Sequence, residues 1–86
     1  MAVFNNSYSE FLEFRVEEVV SSNVKKYIKK SGYTCDYLSM RTGLSLPTIY
    51  RLKEGQHLSI RGICALAEVL SVDPLEFFKE ARRPEN

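Results

Sequence analysis

The chain has 86 residues, with no tryptophan, one histidine, two cysteines, three prolines and four glycines. Each scarcity excludes something. Cys35 and Cys64 stand 29 positions apart with no CxxC pair. With a single histidine beside them, no zinc-ligand pattern can be assembled, and neither a metal nor another cofactor is expected. Two unpatterned cysteines suit a reducing compartment, so a cytoplasmic setting is expected. Nothing approaches the roughly 18 consecutive apolar residues of a membrane span. The first thirty residues also lack a basic start followed by a long apolar run, so no signal peptide is expected. There is no glycine-rich phosphate loop, and no motif sets a nucleophile beside the lone histidine. Enzymatic chemistry is therefore not expected.

What remains is an ordinary globular composition, 44% apolar and 27% charged. A chain this short makes one domain and buries only about 60% of its unfolded surface. The net charge of +1 conceals a strong asymmetry. Residues 1–23 carry Glu10, Glu13, Glu17 and Glu18 against Arg15, a balance of −3. Residues 24–61 carry Lys25, Lys26, Lys29, Lys30, Arg41, Arg51, Lys53 and Arg61 against Asp36 and Glu54, a balance of +6. Residues 62–86 return to −2. Clustered Lys and Arg can neutralise phosphates and release their counterions. The plainer reading of such a run is a set of solvated helix faces.

From Ser9 to Ser31 the chain has no glycine or proline. Leu12, Val16, Val19, Val20, Val24, Tyr27 and Ile28 recur at helical spacing. Ser7 with Glu10 offers a capping box, and Ser21-Ser22-Asn23 offers a break into two helices. Strict alternation over residues 12–17 also fits a strand, but helix is the favoured reading. Gly32 ends this segment, because glycine readily takes the left-handed conformation that closes a helix.

Next come two short helices about a tight turn. Thr34 caps a helix over about residues 35–42 with Leu38 inward, Gly43 makes the turn, and Ser45 caps a helix over about residues 46–53. Pro47 falls in the first turn of that helix, where no intrahelical N–H is lost. Ile49 and Leu52 face the core, leaving Leu46, Pro47, Thr48, Tyr50, Arg51 and Lys53 able to point outward. Ser59 caps a fourth helix with Ile60, Ile63, Ala67 and Leu70 as its apolar stripe, widened by Cys64 and Leu66. Asp73 caps a fifth, with Pro74 first and Leu75, Phe77 and Phe78 to bury. Such punctuation reads as a helix-turn-helix within an all-α bundle of about five short helices. The expected organisation is an N-terminal extension over 1–21, helical in its pattern, a helix-turn-helix domain over 22–81 and a tail over 82–86.

Residues 24–78 resemble the lambda-repressor-like family of Cro/Xre-type helix-turn-helix regulators. The resemblance rests on an ordered set. It begins with Val24 to Thr34, then Leu38 and Gly43. It continues with Ser45, Thr48, Ile49, Arg51, Leu52 and Gly55, then Ser59-Ile60, and ends with Ala67, Leu70 and Val72. It implies a DNA-binding transcriptional regulator, most often a repressor, acting on double-stranded DNA as a homodimer at a two-fold symmetric operator. By position, Leu46, Pro47, Thr48, Tyr50 and Arg51 would face base edges. Arg51 suits guanine, whose O6 and N7 accept its fork together. Thr34, Cys35, Ser45, Lys53, Gln56, His57 and Ser59 would meet phosphates, the amides at Thr34 and Cys35 through an open helix N-terminus.

The chain departs from that pattern in several places. Cys35 stands where glutamine is common, Leu46 where a polar reader is usual, and Lys53 where glutamate is frequent. A Leu-Pro start leaves few hydrogen-bonding readers, so readout would lean on apolar contact, Arg51 and DNA shape. Cys64 reads as core. Cys35 reads as a small exposed residue, with a redox thiol at a helix N-terminus as the alternative. The segment up to Ser22 is absent from the family pattern. Its Phe4, Tyr8, Phe11 and Phe14 either complete the core or form a dimer or partner surface, with a protein partner for residues 1–21 as one outcome. Beside the repressor stand two other readings, an antitoxin-type autoregulator and a protein-interaction module on the same scaffold.

Overall fold

The absence of glycine and proline from residues 9–31 has a direct consequence. In the computed structural model, which describes residues 6–56 and 58–80, α1 runs unbroken from Asn6 to Ser31. It is followed by α2 (Cys35–Thr42), α3 (Leu46–Lys53), α4 (Ile60–Leu70) and a 3-10 turn, Pro74–Phe78. No strand occurs among the described residues. The all-α architecture is as the pattern implies, with one unbroken helix where Ser21-Ser22-Asn23 had left a break open, and a 3-10 turn in place of a fifth α-helix. Strand-like alternation over residues 12–17 is helix. The tail 82–86 and Phe4 lie outside the described residues.

Why Ser21-Ser22-Asn23 does not break α1 is visible in its hydrogen bonds. Ser and Asn interrupt helices when their side chains compete for nearby backbone groups. Here Ser21 Oγ donates to the Lys53 carbonyl at 2.7 Å, and Asn23 Nδ2 donates to the carbonyls of Phe77 and Lys79 at 2.9 and 2.7 Å. Both reach across the fold. Asn23 is buried and holds the end of the 3-10 turn against α1.

The core joins Val20, Val24 and Ile28 from α1 to Leu38, Ile49, Leu52, Ile63, Leu66, Ala67, Leu70 and Phe77. The three α1 residues repeat at i, i+4 and i+8, one line on one face. Phe77 is fully buried and meets the Tyr27 ring edge-on with centroids 6.0 Å apart. Burying a side chain of this size stabilises the fold by about 1.5–3 kcal/mol. α4 supplies four of these core residues at i, i+3, i+4 and i+7, which fastens it along its length.

Several expected core residues are not there. Cys64 lies on the outer flank of α4 and is exposed. Ile60 follows the Ser59 cap in the first turn of α4, beyond the reach of the core, and is 83% exposed. The tight 3-10 winding lets Phe77 enter the core while Leu75 and Phe78 face outward. Tyr8, Phe11 and Phe14 do not complete the core either, since all three are exposed.

Candidate nucleic-acid interface

The two helices about the turn are set by local chemistry. Thr34, in extended conformation, accepts the Tyr37 amide on Oγ1 at 3.0 Å and opens α2. Gly43 closes α2 at φ 78°, its N–H donating to the Ser39 carbonyl at 3.0 Å. The turn is then laced by side chains. Ser39 Oγ donates to the Leu44 carbonyl at 2.6 Å, and the Leu44 amide donates to Thr42 Oγ1 at 3.1 Å. These bonds restrict how α3 leaves the turn.

Ser45 caps α3, accepting the Thr48 amide at 3.3 Å, and its hydroxyl also pairs with Thr48 Oγ1 at 2.9 Å. Ile49 and Leu52 are buried and anchor the inner face. The outer face follows by geometry, since residues three and four apart are neighbours on a helix. Pro47, Tyr50 and Arg51 stand at i, i+3 and i+4 and are all exposed. Among the described residues, the Arg51 guanidinium has no ion pair. Leu46 and Thr48 are half-buried, so they flank that face rather than crown it.

The residues expected at phosphates fall into three groups. Thr34, Ser45 and Ser59 are exposed caps whose hydroxyls are already engaged by amides, Ser59 with Gly62 at 3.0 Å. Lys53 and Cys35 come together. Lys53 Nζ lies 3.8 Å from Cys35 Sγ and 5.9 Å from the centre of the Tyr50 ring. The ammonium thus sits between the opening of α2 and the outer face of α3. Cys35 is half-buried against the core edge, not the freely exposed residue expected. Gln56 is exposed, its backbone N–H donating to the Arg51 carbonyl at 2.9 Å. His57 lies outside the described residues.

The basic surplus of the middle segment divides unevenly. Lys25 is 3.6 Å from Glu54 and so partly neutralised, while Lys26 and Lys30 lie over the Tyr27 ring at 4.9 and 5.8 Å. Tyr27 faces the 3-10 turn, with its hydroxyl 3.4 Å from Glu76, so these two lysines flank that turn. The cations on α3 are left without carboxylate partners among the described residues. Sequence reasoning missed a second cluster, Tyr33, Tyr37 and Arg41. Their i, i+4, i+8 spacing was available as a signal. The two rings pack at 4.6 Å and Arg41 Nη1 donates to the Tyr37 hydroxyl at 2.7 Å. Tyr33 and Arg41 line a groove between α2 and α4.

No group of three or more His, Cys, Asp or Glu gathers into a metal-binding arrangement among the described residues. No described helix is long and apolar enough to cross a membrane. Compared with known proteins, residues 23–79 match the model of the Cro/C1-type HTH DNA-binding domain. No curated protein and no solved structure matches the chain.

Proposed function

The chain belongs to the Cro/C1-type helix-turn-helix DNA-binding family, with more than half of its length inside the matched domain, and on that footing we propose that it is a sequence-specific transcriptional repressor. It acts as a homodimer on a two-fold symmetric operator, with α3 of each copy in the major groove. Residues 22–81 form the DNA-binding unit, and residues 1–21 are an addition to it. The setting is the cytoplasm, where the operator DNA is.

One observation carries this reading. α3 presents Pro47, Tyr50 and Arg51 on a single exposed face, while Ile49 and Leu52 hold the opposite face in the core. A helix of eight residues with one exposed face, whose arginine has no ion pair among the described residues, suits a major groove wide enough to admit a helix. Arg51 reads guanine, Tyr50 and Pro47 supply apolar and stacking contact, and Leu46 and Thr48 border them. Lys53 supports the phosphate beside the α2 N-terminus, where the amides at Thr34 and Cys35 open the helix. Ser45, Gln56, His57 and Ser59 complete the backbone contacts.

The test is a salt titration. Affinity for a duplex of about two helical turns should fall linearly on a log–log plot, with a slope near −0.9 per phosphate contacted. A flat response, or no binding at low salt, contradicts the reading.

A further inference from the structure

Residues 8–16 of α1 are exposed without exception, yet Tyr8, Phe11, Leu12, Phe14 and Val16 among them are large and apolar, between 45% and 64% exposed. Tyr8, Phe11, Leu12, Arg15, Val16 and Val19 follow one another at i, i+3, i+4, i+7, i+8 and i+11. That is one stripe on one helix face. At 3.6 residues per turn, Glu10, Glu13 and Glu17 fall on the far side of the helix, while Glu18, seven residues after Phe11, borders the stripe. Arg15 is the only charge on the stripe, and it is paired with Glu80. Phe78 extends the stripe from the 3-10 turn. With Leu12, Val16 and Val19 it lines a groove of about 550 Å³, with the Arg15–Glu80 pair at its edge.

We propose that this stripe is the docking surface for a second copy of the chain. Two α1 overhangs pack antiparallel about a two-fold axis, and Tyr8 and Phe11 of one copy enter the groove of the other. The inference rests on the dimer proposed above and names its surface. Three features select a second copy as the occupant. The stripe carries both protruding aromatics and a groove to receive them, the self-complementarity that a two-fold interface requires. Its one charge is already neutralised by Glu80 and only Glu18 borders it, so like-charge repulsion between two copies is limited to that edge. The area is also sufficient. Tyr8, Phe11, Leu12, Val16 and Phe78 offer roughly 500 Å² per copy, hence about 1,000 Å² in the pair, the lower bound for a specific interface.

The experiment is sedimentation equilibrium of the full chain without DNA, on the wild type, on Leu12→Glu/Val16→Glu and on Met40→Glu. Met40 is exposed on α2, away from the stripe. The wild type and Met40→Glu should be dimers with dissociation constants on the order of micromolar. The double variant should dissociate at least a hundredfold more readily while keeping its helical circular dichroism. A wild type that stays monomeric well above micromolar concentration overturns the proposal. So does a double variant that dimerises like the wild type, or a Met40→Glu that dissociates equally. A wild-type dimer that dissociates as expected in the double variant, but binds no duplex, contradicts the DNA reading and leaves this interface standing.

Discussion

Gly55 packs against the backbone of Glu17 so closely that a Cβ at position 55 would overlap the Glu17 carbonyl. With φ of 72°, Gly55 also occupies the left-handed region. The end of α3 and the middle of α1 therefore touch backbone to backbone, and the Ser21–Lys53 bond lies one turn further along α1. The helix proposed to read DNA and the helix proposed to pair two copies are locked together at this point.

Gly55→Ala should accordingly cost about 3 kcal/mol, from the left-handed backbone and the overlap together. Gly43→Ala, equally left-handed but with nothing within 4 Å of the added methyl, should cost only about 1 kcal/mol. Urea melts of both variants check the difference. Equal losses would mean that the Glu17 contact does not constrain the fold.

Asn23 is the buried polar side chain that ties α1 to the 3-10 turn. Asn23→Ala removes both donors and leaves the carbonyls of Phe77 and Lys79 unmet, an expected loss of about 2 kcal/mol. Asn23→Asp, nearly the same shape, should do no better, because its carboxylate faces two carbonyl oxygens with no proton to give. Thermal melts at neutral pH distinguish the cases. An Asp variant as stable as the wild type would show that shape, not donation, is what counts.

Glu76 and Lys79 give the stability a pH dependence of known sign. The Lys79 ammonium, 2.8 Å away, holds the Glu76 carboxyl below its ordinary value, and the Tyr27 hydroxyl adds to the effect. A depressed carboxyl stabilises the fold above its unfolded pKa of about 4.3, and the contribution fades as pH falls through the folded value. Lys79 is raised by the same bond, so its share is present below about pH 10.4 and fades as pH rises through the folded value. The pair is exposed, so the effect is small. Glu76→Gln should lose less in Tm than the wild type on acidification from about pH 6 to about pH 3.

On DNA, Arg51 and Lys53 should separate by their effects. Arg51→Ala should cost about 1–3 kcal/mol on a preferred site and much less on unrelated duplex. Lys53→Ala should weaken all sequences alike and reduce the salt slope by about 1. Competition titrations at two salt concentrations measure both. Identical behaviour of the two variants would contradict the division between reading and positioning.

What could be read without the fold was local. Thr34, Ser45, Ser59 and Asp73 each cap the element expected of them, because a cap involves only the next two or three residues. Half of the outer set on α3 was legible for the same reason, Pro47, Tyr50 and Arg51, whereas Leu46, Thr48 and Lys53 are half-buried by neighbouring elements that the helical period does not report. Whether Asn23 breaks the helix stayed open in the sequence because its partners lie 54 and 56 positions away. The limits of the core at Ile60, Cys64, Leu75 and Phe78 depend on how far neighbouring elements reach, which periodicity does not report. Lys53 leaning toward Cys35 required the α2–α3 angle.

The most direct test is selection of duplexes bound by the full chain from a random pool at moderate salt, followed by sequencing. The account predicts enrichment of an inverted repeat with half-sites about one helical turn apart, lost on Arg51→Ala. A selected pool no different from the input would contradict it.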